Sequence, residues 1–377
     1  MIELIATATF GLEAVVKREL TDLGYEDLKV ENGKVTFQGT EKDIPKANIW
    51  LRTADRVLLK MGEFKALSFE ELFEKTKSLP WEQWITEDGN FVVEGKSIDS
   101  KLFSVSDCQR IVEKAVVEKL RTKYHVDWFE KTGPKFTIEV ALLKDVATLT
   151  IDTSGEGLHK RGYRDRQGDA PIKETLAAAM LLLSYWNKER VLFDPFCGSG
   201  TIPIEAAMIG KNMAPGLERD FAAEKWPRVK KEYWSEARRE ALRLMDTESK
   251  LHILGCDIDR KSILRARDNA ANFGLEDDIA FFIKDFRDAD LNNEYGVVVT
   301  NPPYGERIGE KAEIEELYRD LGTKFKELDT WSVYVITSNE DFEKLYGKKA
   351  NRKRKLYNGR IKVDYYQYYG PRPPKDV

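Results

Sequence analysis

Four short apolar segments of this chain each lead, directly or after one polar residue, into a carboxylate or an amide side chain. Short apolar runs between helix-like segments are typical of parallel strands that are buried on both faces. Parallel strands are aligned at their carboxyl ends, where open α/β sheets bind their ligands. The pattern therefore predicts an α/β domain with a ligand site at one edge of its sheet. The four polar residues are Asp194, Asp257, Asp285 and Asn301.

The last of these runs, residues 296–300, continues into Asn301-Pro302-Pro303-Tyr304, and we take these four as candidate catalytic residues. The amide oxygen of Asn301 and the carbonyl of Pro302 are two acceptors on a backbone of restricted φ. Two acceptors aimed at a conjugated amino group make its nitrogen more nucleophilic. Tyr304 offers a ring on which a flat substrate can stack. The motif favours attack by a planar amino nitrogen on an electrophilic methyl group, and a plain Asn-Pro turn is the alternative.

The first run leads through a glycine-containing turn into a helix that starts near Ile202. Such glycines let the backbone approach a ligand that faces the helix N-terminus. The spacing is not G-x-G-x-x-G, and a carboxylate ahead of the turn disfavours a diphosphate but attracts an ammonium group. We therefore expect S-adenosylmethionine as the cofactor. The candidate cofactor-binding residues here are Asp194, Pro195, Phe196, Cys197, Gly198, Ser199, Gly200 and Thr201.

The second and third runs add four further candidates for cofactor binding. Asp257 is predicted to bond ribose hydroxyls, as an acidic residue at the end of the second strand does in such folds. Ile258 is expected to pack on the adenine ring, and Asp259 to cap the next helix. Asp285, followed by Phe286, is the candidate acceptor for the adenine amino group. Asn301 is counted among the cofactor-binding residues as well as the catalytic ones.

The order of these motifs resembles that of class I S-adenosylmethionine-dependent methyltransferases of amino nitrogens. Over nearly the whole chain, the sequence is similar to the THUMP-domain RNA guanine-N2 methyltransferases, particularly their bacterial 23S ribosomal RNA branch. The resemblance implies methyl transfer to N2 of a guanosine in structured RNA, with ribosomal RNA as the first candidate and transfer RNA as the second. It also rests on residues 154–164, 170–179, 213–217, 226–227 and 355–359.

Three domains are expected. The element pattern divides the chain into a small α+β unit at residues 1–66, a second unit at residues 67–155 and an α/β domain at residues 156–377. The resemblance implies that these are a ferredoxin-like unit, a THUMP RNA-binding domain and a Rossmann-like methyltransferase domain with a mixed seven-stranded sheet. Asn358-Gly359 predicts a closing hairpin. Helices are predicted at 11–20, 44–51, 69–77, 106–124, 173–186, 202–207, 232–245, 260–272 and 314–328, and further strands at 34–37, 90–95, 135–142, 146–152 and 332–337.

Length and composition limit the number of domains and the cellular compartment that we expect. The chain has 377 residues, 42% of them apolar, which is enough for two or three domains of roughly 100 to 200 residues. It lacks a run of about 18 apolar residues and a secretory leader pattern, so we expect neither a membrane span nor export. Three cysteines without a C-x-x-C pair predict a cytoplasmic protein without disulfides or a metal site.

The net charge of −4 disfavours RNA binding, because phosphate affinity comes from Lys and Arg. Two local clusters of cations are the candidate phosphate contacts, although a charge run is as often a solvated face. One cluster lies at the junction before the methyltransferase domain and the other near the C-terminal strands. Their members are Lys160, Arg161, Arg164 and Arg166, and then Lys348, Lys349, Arg352, Lys353, Arg354 and Lys355.

Alternatives to guanine-N2 methylation remain at this stage. Methylation at C5 of a pyrimidine needs a cysteine beside the motif, and none lies there. Adenine-N6 and glutamine methylation use the same tetrapeptide, and RNA adenine-N6 is the second enzymatic candidate. A non-catalytic RNA-binding or assembly factor is the candidate from another class. The sequence leaves open the target nucleotide, the oligomeric state, whether the substrate is bare RNA or an assembling particle, and the role of residues 211–250.

Overall fold

Two seven-stranded β-sheets organise the part of the chain that the structure describes. The computed structural model describes residues 1–164, 172–304 and 311–374. Each sheet belongs to its own compact unit. The first unit comprises residues 1–8, 16–158 and 219–240, and the second comprises residues 9–15, 159–218 and 241–377.

The sheet of the first unit has the strand order β2-β3-β1-β4-β7-β6-β5. All pairs are antiparallel except β5 with β6. Its strands are β1 (Ile2–Ala8), β2 (Lys29–Glu31), β3 (Lys34–Gly39), β4 (Ala54–Lys65), β5 (Asn90–Ile98), β6 (Lys135–Leu143) and β7 (Val146–Asp152). The accompanying helices are α1 (Glu13–Asp22), α2 (Asp43–Trp50), α3 (Phe69–Lys77) and α4 (Val105–Tyr124).

Strand β4 joins the two predicted N-terminal domains into one sheet. It pairs with β1 on one side and with β7 on the other. The sequence did not predict this strand, because only Val57, Leu58 and Leu59 form a continuous buried run within it. Its second half has no buried residue and contains a bulge between Lys60 and Gly62. A bulge breaks the alternation from which strands are predicted.

The short strand β2 was not predicted either, but one helix and one strand of this unit match their predicted bounds. Helix α3 and strand β7 begin and end where they were predicted. The hairpin between β6 and β7 turns at Lys144 and Asp145, whose φ angles are +51° and +65°. Two consecutive positive φ values match the twist of the flanking strands, which explains the tight turn.

Residues 219–240 lie inside the predicted methyltransferase domain in sequence but belong to the first unit in the structure. Trp226 is buried and stacks on Phe136, with the ring centroids 4.9 Å apart. Its indole N–H donates to the Lys135 carbonyl over 3.0 Å. Arg228 lies over the Trp84 ring and forms an ion pair with Glu41 at 2.8 Å. Part of the 211–250 segment therefore completes the core of the first unit.

The sheet of the second unit has the order β10-β9-β8-β11-β12-β14-β13. It is mixed, as predicted, because β14 is antiparallel to both of its neighbours. Its strands are β8 (Leu192–Asp194), β9 (Ile253–Asp257), β10 (Ile279–Ile283), β11 (Val297–Thr300), β12 (Ser332–Thr337), β13 (Arg352–Asn358) and β14 (Ile361–Tyr368). The helices of this half of the chain are α5 (Glu174–Leu182), α6 (Thr201–Gly210), α7 (Lys231–Leu244), α8 (Arg260–Ala271), α9 (Lys311–Lys326) and α10 (Phe342–Tyr346).

The two central strands of this sheet are fully buried. Every residue of β11 and β12 is buried, which explains why both strands are continuous apolar runs in the sequence. Helix α5 ends four residues before the predicted Trp186, because the chain turns there and Ser184 and Trp186 make local hydrogen bonds. Among the described residues, no helix has the length and apolar character needed to cross a membrane.

Candidate active site

The four polar residues that end the apolar runs lie at one edge of the second sheet. Strands β10, β9, β8 and β11 are neighbours in that order and are parallel. Their carboxyl ends therefore present Asp285, Asp257, Asp194 and Asn301 in spatial sequence along the edge. Two of these strands are tied together by the Thr300 hydroxyl, which donates to Asp194 Oδ1 over 2.7 Å.

Two glycines shape the turn after β8. Gly200 precedes α6 with φ +85°, and a Cβ there would lie 3.0 Å from both Ala266 and Phe281. Close packing of helix and strand therefore requires a glycine at this position. Gly198 has φ +52°, and a Cβ there would meet nothing within 4 Å. The turn thus leaves open space beside Gly198, as a backbone that cradles a ligand must.

Asp257 is held against this turn. Its Oδ2 accepts a hydrogen bond from the Gly198 N–H over 3.1 Å, and its Oδ1 accepts one from the Asp259 N–H over 2.9 Å. The next side chain, Ile258, is 74% exposed, which is unusual for isoleucine and fits a surface that an adenine ring would cover. Asp259 caps α8 by accepting from the backbone of Lys261 and Ser262, as predicted.

Other predicted cofactor residues face the core. Cys197 and Phe286 are buried, and burial raises the pKa of the Cys197 thiol well above its ordinary value. Phe196 packs against Phe286 with centroids 5.1 Å apart, and the Pro195 carbonyl accepts from the Cys256 thiol. These side chains hold the turn in shape. Because the side chains of Cys197 and Phe286 are buried, any contact that these two residues make with a ligand would come from the backbone.

Ser199 and Thr201 also accept hydrogen bonds from side chains outside the glycine turn. The Ser199 carbonyl accepts a hydrogen bond from the Asn269 side chain over 3.0 Å. The Thr201 hydroxyl accepts one from Arg164, which also forms an ion pair with Glu174 at 3.0 Å. Arg164 and Asn269 thus support the glycine turn, a role that the sequence did not reveal.

Asp285 has a partner that the sequence did not predict. Its Oδ1 accepts from the Arg287 N–H, and its Oδ2 pairs with the Arg287 guanidinium at 2.7 Å. The same guanidinium pairs with Asp320 at 2.7 Å. A cofactor amino group would therefore share the Asp285 carboxylate with Arg287.

The tetrapeptide carries its own hydrogen bonds. The Tyr304 hydroxyl donates to Asn301 Oδ1 over 2.5 Å. The Pro303 carbonyl accepts from the Tyr318 hydroxyl over 2.8 Å. No described residue donates to the Pro302 carbonyl, so the acceptor predicted from the sequence is not used by them.

A chain of hydroxyls fixes the Pro303 carbonyl. Tyr318 Oη and Thr337 Oγ1 are 2.8 Å apart, and Thr337 Oγ1 also accepts from the Asn339 N–H over 3.1 Å. Because a carbonyl can only accept, the single Tyr318 proton goes to Pro303. Thr337 must then be the donor to Tyr318. Burial raises the pKa of Tyr318 to about 12, so this donor keeps its proton.

Asp194 is the most perturbed carboxylate at this edge. It is 1% exposed, and burial raises its pKa to about 7 despite hydrogen bonds from the Thr300 hydroxyl and the Phe196 N–H. Both hydrogen bonds go to Oδ1. A cation bound beside this group would favour its ionised form, because opposite charges lower a carboxyl pKa.

The first predicted phosphate-binding cluster is wrong in two of its members. Arg161 is 1% exposed and forms a double hydrogen bond with buried Glu205, at 3.1 Å and 3.2 Å. Arg164 is turned toward Glu174 and Thr201. Both side chains point toward buried carboxylates instead of solvent, because a buried charge is stabilised by a paired opposite charge. Arg166 lies outside the described residues.

No group of three or more potential metal ligands occurs among the residues that the structure describes.

Three family models match this chain in sequence order. They are an RlmL ferredoxin-like domain over residues 3–58, a THUMP domain over residues 66–152, and an RMKL-like methyltransferase domain of the UPF0020 family over residues 161–367. The last match covers more than half of the chain. The chain belongs to the RMKL-like methyltransferase family. The predicted family and fold class are confirmed, and S-adenosylmethionine is the methyl donor that domains of this class use.

Two curated relatives extend this result. A putative RNA methyltransferase named YpsC from Bacillus subtilis is 54% identical over 374 residues, which are 99% of this chain and 97% of that protein. Ribosomal RNA large subunit methyltransferase K/L from Syntrophotalea carbinolica is 35% identical over 96% of this chain. The chain spans about half of that second relative, 52% of its length.

Solved structures agree on the fold. A structure titled SMU.472, a putative methyltransferase complexed with SAH, has 46% identity and a TM-score of 0.93, with 99% of both chains covered. A structure from Listeria monocytogenes, titled a predicted N6-adenine-specific DNA methylase, has 54% identity and a TM-score of 0.94. It covers 98% of this chain and 96% of the other. The two titles describe those proteins, and they differ in the substrate that they name.

Proposed function

We propose that this protein transfers a methyl group from S-adenosylmethionine to the N2 amino group of a guanosine in structured RNA, with 23S ribosomal RNA as the first substrate class and transfer RNA as the second. The observation that carries the proposal is the geometry of the tetrapeptide. Asn301 follows a central buried strand, and the neighbouring Pro302 carbonyl has no donor among the described residues. A planar amino group placed there would meet the Pro302 carbonyl and, once it displaces the Tyr304 hydroxyl, Asn301 Oδ1 as a second acceptor.

RNA as the substrate class is supported by the domain that precedes the catalytic one. The THUMP match covers residues 66–152, and the two curated relatives are named for RNA and for ribosomal RNA. A DNA or protein substrate would leave this domain without an assigned role. The choice of guanine N2 within RNA rests on the resemblance of the whole motif set, since the tetrapeptide also suits adenine N6.

The roles of the residues follow from their chemistry. When bound, S-adenosylmethionine supplies an electrophilic methyl group on its sulfonium. Asn301 Oδ1 and the Pro302 carbonyl would accept from the two N–H groups of the base and turn the nitrogen lone pair toward that methyl. Tyr304 would stack on the base. Asp257 and Ile258 would hold the nucleoside part of the cofactor, and the backbone around Gly198 would lie against it.

Positioning supplies most of the acceleration in this scheme. Alignment of two reactants can contribute on the order of 7 to 11 kcal/mol relative to free encounter. The scheme needs no general base with a special pKa, because the nitrogen sheds its proton readily once it is methylated. The base must leave its stack to reach Asn301, which costs least in a loop or a partly opened stem.

Adenine N6 in RNA remains the second candidate, since its amino group would meet the same two acceptors. A non-catalytic RNA-binding or assembly factor is the candidate from outside the enzymes. The exposed Ile258 and the open space beside Gly198 favour an enzyme, since both describe a surface prepared for a cofactor.

The deciding experiment is methyl transfer from labelled S-adenosylmethionine to total RNA from cells that lack this protein, followed by nucleoside mass spectrometry. N2-methylguanosine would support the proposal, and fragment mapping would then locate the site. N6-methyladenosine would favour the second candidate. Unlabelled RNA together with intact cofactor binding would turn attention to other substrates, and failure to bind the cofactor would overturn the enzyme assignment.

A matched variant tests the tetrapeptide in the same assay. Asn301→Ala should lower turnover about a hundredfold, the scale found when one polar group that stabilises a transition state is removed. Its affinity for S-adenosylhomocysteine should stay near the wild-type value. Full turnover in this variant would contradict the proposed role of Asn301.

A further inference from the structure

The segment from Lys344 to Val363 carries nine cationic residues and no acidic one, in a chain whose net charge is −4. It covers the whole of β13, the turn after it and the start of β14. Most of these cations are exposed to solvent. The exposed ones on the two strands and their turn are Arg352, Lys353, Lys355, Arg360 and Lys362.

The hairpin turn of this segment lies at the edge of the sheet that carries the tetrapeptide. In the strand register, Thr337, the last residue of β12, lies opposite Asp364, which in turn lies opposite Lys355. Strands β13 and β14 continue for three more residues beyond that point, or about 10 Å at the rise of an extended chain. Because β11 and β12 are parallel, Thr337 and Asn301 share the same edge. The hairpin tip therefore projects past the sheet on the side of the tetrapeptide.

An aromatic pair accompanies these cations. Phe10 is 50% exposed and lies edge-on to Tyr357, with ring centroids 6.0 Å apart. Lys355 Nζ is 5.7 Å from the Tyr357 ring. The chain beside Phe10 is packed closely on β13, since a Cβ on Gly11 would lie 2.8 Å from the Lys355 carbonyl. Gly11 has φ +92°, a conformation that favours glycine.

We propose that this surface, formed by Phe10, Tyr357, Lys355 and Arg360, binds the RNA strand next to the target nucleotide. The cations contact phosphates, and the half-exposed ring stacks on an unpaired base. The inference rests on the proposed function, because it assigns a surface to the same RNA substrate.

A simpler explanation is that lysines on an edge strand prevent pairing with other chains. That explanation accounts for the charges along β13, but not for the exposed Phe10 beside them or for Arg360 in the projecting turn. Two cations separate the explanations best. Lys353 pairs with Asp364 at 3.0 Å and Lys362 with Glu340 at 3.7 Å, whereas no described carboxylate pairs with Lys355 or Arg360.

The first test reverses these two charges. The double variant Lys355→Glu, Arg360→Glu is compared with Lys250→Glu, Lys326→Glu, whose lysines are exposed and precede β9 and β12 at the opposite edge of the sheet. The probe is unmodified 23S ribosomal RNA transcript, and the full-length protein is titrated with it over a range of KCl concentrations in the presence of S-adenosylhomocysteine.

We expect the first double variant to bind RNA about tenfold more weakly, with a log–log salt slope shallower by about two, one for each lost phosphate contact. The control should keep the wild-type affinity and slope. Both variants should bind S-adenosylhomocysteine like the wild type, which excludes misfolding. Wild-type affinity and slope in the first variant would overturn the inference and leave edge protection as the explanation.

The second test removes a ring. Phe10→Ala should weaken RNA binding about fivefold or more, since base–aromatic stacking contributes on the order of 1 to 3 kcal/mol per base. Phe282→Ala is the matched control. Phe282 is 48% exposed and lies on β10, the outermost strand on the side of the sheet opposite to β13. Equal effects of the two substitutions would overturn the stacking role.

These outcomes can be told apart from failure of the proposed function. If the wild type binds the RNA, the charge reversal weakens binding and yet no methyl is transferred, the surface stands and the proposed reaction fails. If the wild type methylates RNA and the reversal leaves binding unchanged, the reaction stands and the surface is overturned.

Discussion

The Tyr304 hydroxyl donates a hydrogen bond to Asn301 Oδ1 over a distance of 2.5 Å. The amide oxygen that we assign to the substrate amino group is therefore occupied by a neighbour in the same tetrapeptide. An entering base must displace this hydroxyl before Asn301 can accept from it. A rotation of Tyr304 would release the oxygen and could bring the ring onto the base in one movement.

Substitutions of Tyr304 separate its hydroxyl from its ring. Tyr304→Phe should keep kcat/KM within about threefold of the wild type, because the ring remains and Asn301 Oδ1 is free. Tyr304→Ala should lower kcat/KM about 5-fold to 150-fold, since stacking on a base contributes about 1 to 3 kcal/mol. The measurement is steady-state methyl transfer to RNA. Equal losses in both variants would show that the hydroxyl, not the ring, is the functional group.

Tyr318 is expected to position the tetrapeptide from behind. Tyr318→Phe removes the donor to the Pro303 carbonyl and should lower kcat about tenfold, while the affinity for S-adenosylhomocysteine stays unchanged. Stability should fall by about 1 kcal/mol, the net value of a typical hydrogen bond. Tyr346→Phe is the control, because Tyr346 is buried in the same core and its hydroxyl has no hydrogen bond to a described residue. A similar loss of kcat in both variants would show that altered core packing, and not the hydrogen bond to Pro303, causes the effect.

The stability of the cofactor-free protein should depend on pH through Asp194. Its pKa is raised by burial from 3.8 to about 7, so the folded state holds this proton more tightly than the unfolded state does. The contribution to stability is complete below pH 4 and is lost as the pH rises toward 7. At about 1.4 kcal/mol per pKa unit, the loss is at most about 4 kcal/mol.

Asp194→Asn tests this dependence, because asparagine retains an oxygen that can accept from Thr300 and Phe196. The free energy of unfolding is measured by urea denaturation of both proteins between pH 5 and 8. The variant should gain stability relative to the wild type as the pH rises. Parallel pH profiles would show that Asp194 is ionised throughout.

The buried pair of Arg161 and Glu205 should be costly to break. Glu205→Gln should destabilise the protein by about 3 kcal/mol, because it removes the carboxylate that is hydrogen-bonded to a buried guanidinium. The double variant Arg161→Met, Glu205→Leu should be more stable than the single one. Glu315→Gln, in an exposed pair with Arg319, should change stability by about 0.5 kcal/mol or less. Thermal and urea unfolding give these values, and equal effects at Glu205 and Glu315 would contradict the prediction.

Local patterns predicted those parts of the fold in which a segment's own residues decide its conformation. Strand β12 coincides with its prediction, since all six of its residues are buried. Asp259 was recognised as a helix cap because its partners are the next backbone N–H groups along the chain. Strand β4 was missed because pairing on both sides, rather than its own alternation, makes it a strand.

The sequence predicted which residues lie at the candidate site, and the structure showed which groups they form hydrogen bonds and ion pairs with. Asp194, Asp257, Asp285 and Asn301 were expected at one sheet edge, and the sheet order places them there. The pairing of Asp285 with Arg287 and the support of Pro303 by Tyr318 were not foreseen. Among the cations, Arg161 and Lys355 looked alike in sequence, but the first is buried and the second exposed.

The sequence by itself determined the sheet class, the polar residues at the strand ends and the family to which the chain belongs. Periodicity, glycines and prolines act over a few residues, so these signals can be read without the fold. Only the tertiary structure decided which carboxylate neutralises which cation and which hydroxyl occupies Asn301. It also decided that residues 219–240 complete the first unit. Apart from the contact of Tyr304 with Asn301, which joins residues three positions apart, these outcomes depend on groups far apart in the chain, whose burial and hydrogen bonding are set when the sheets assemble.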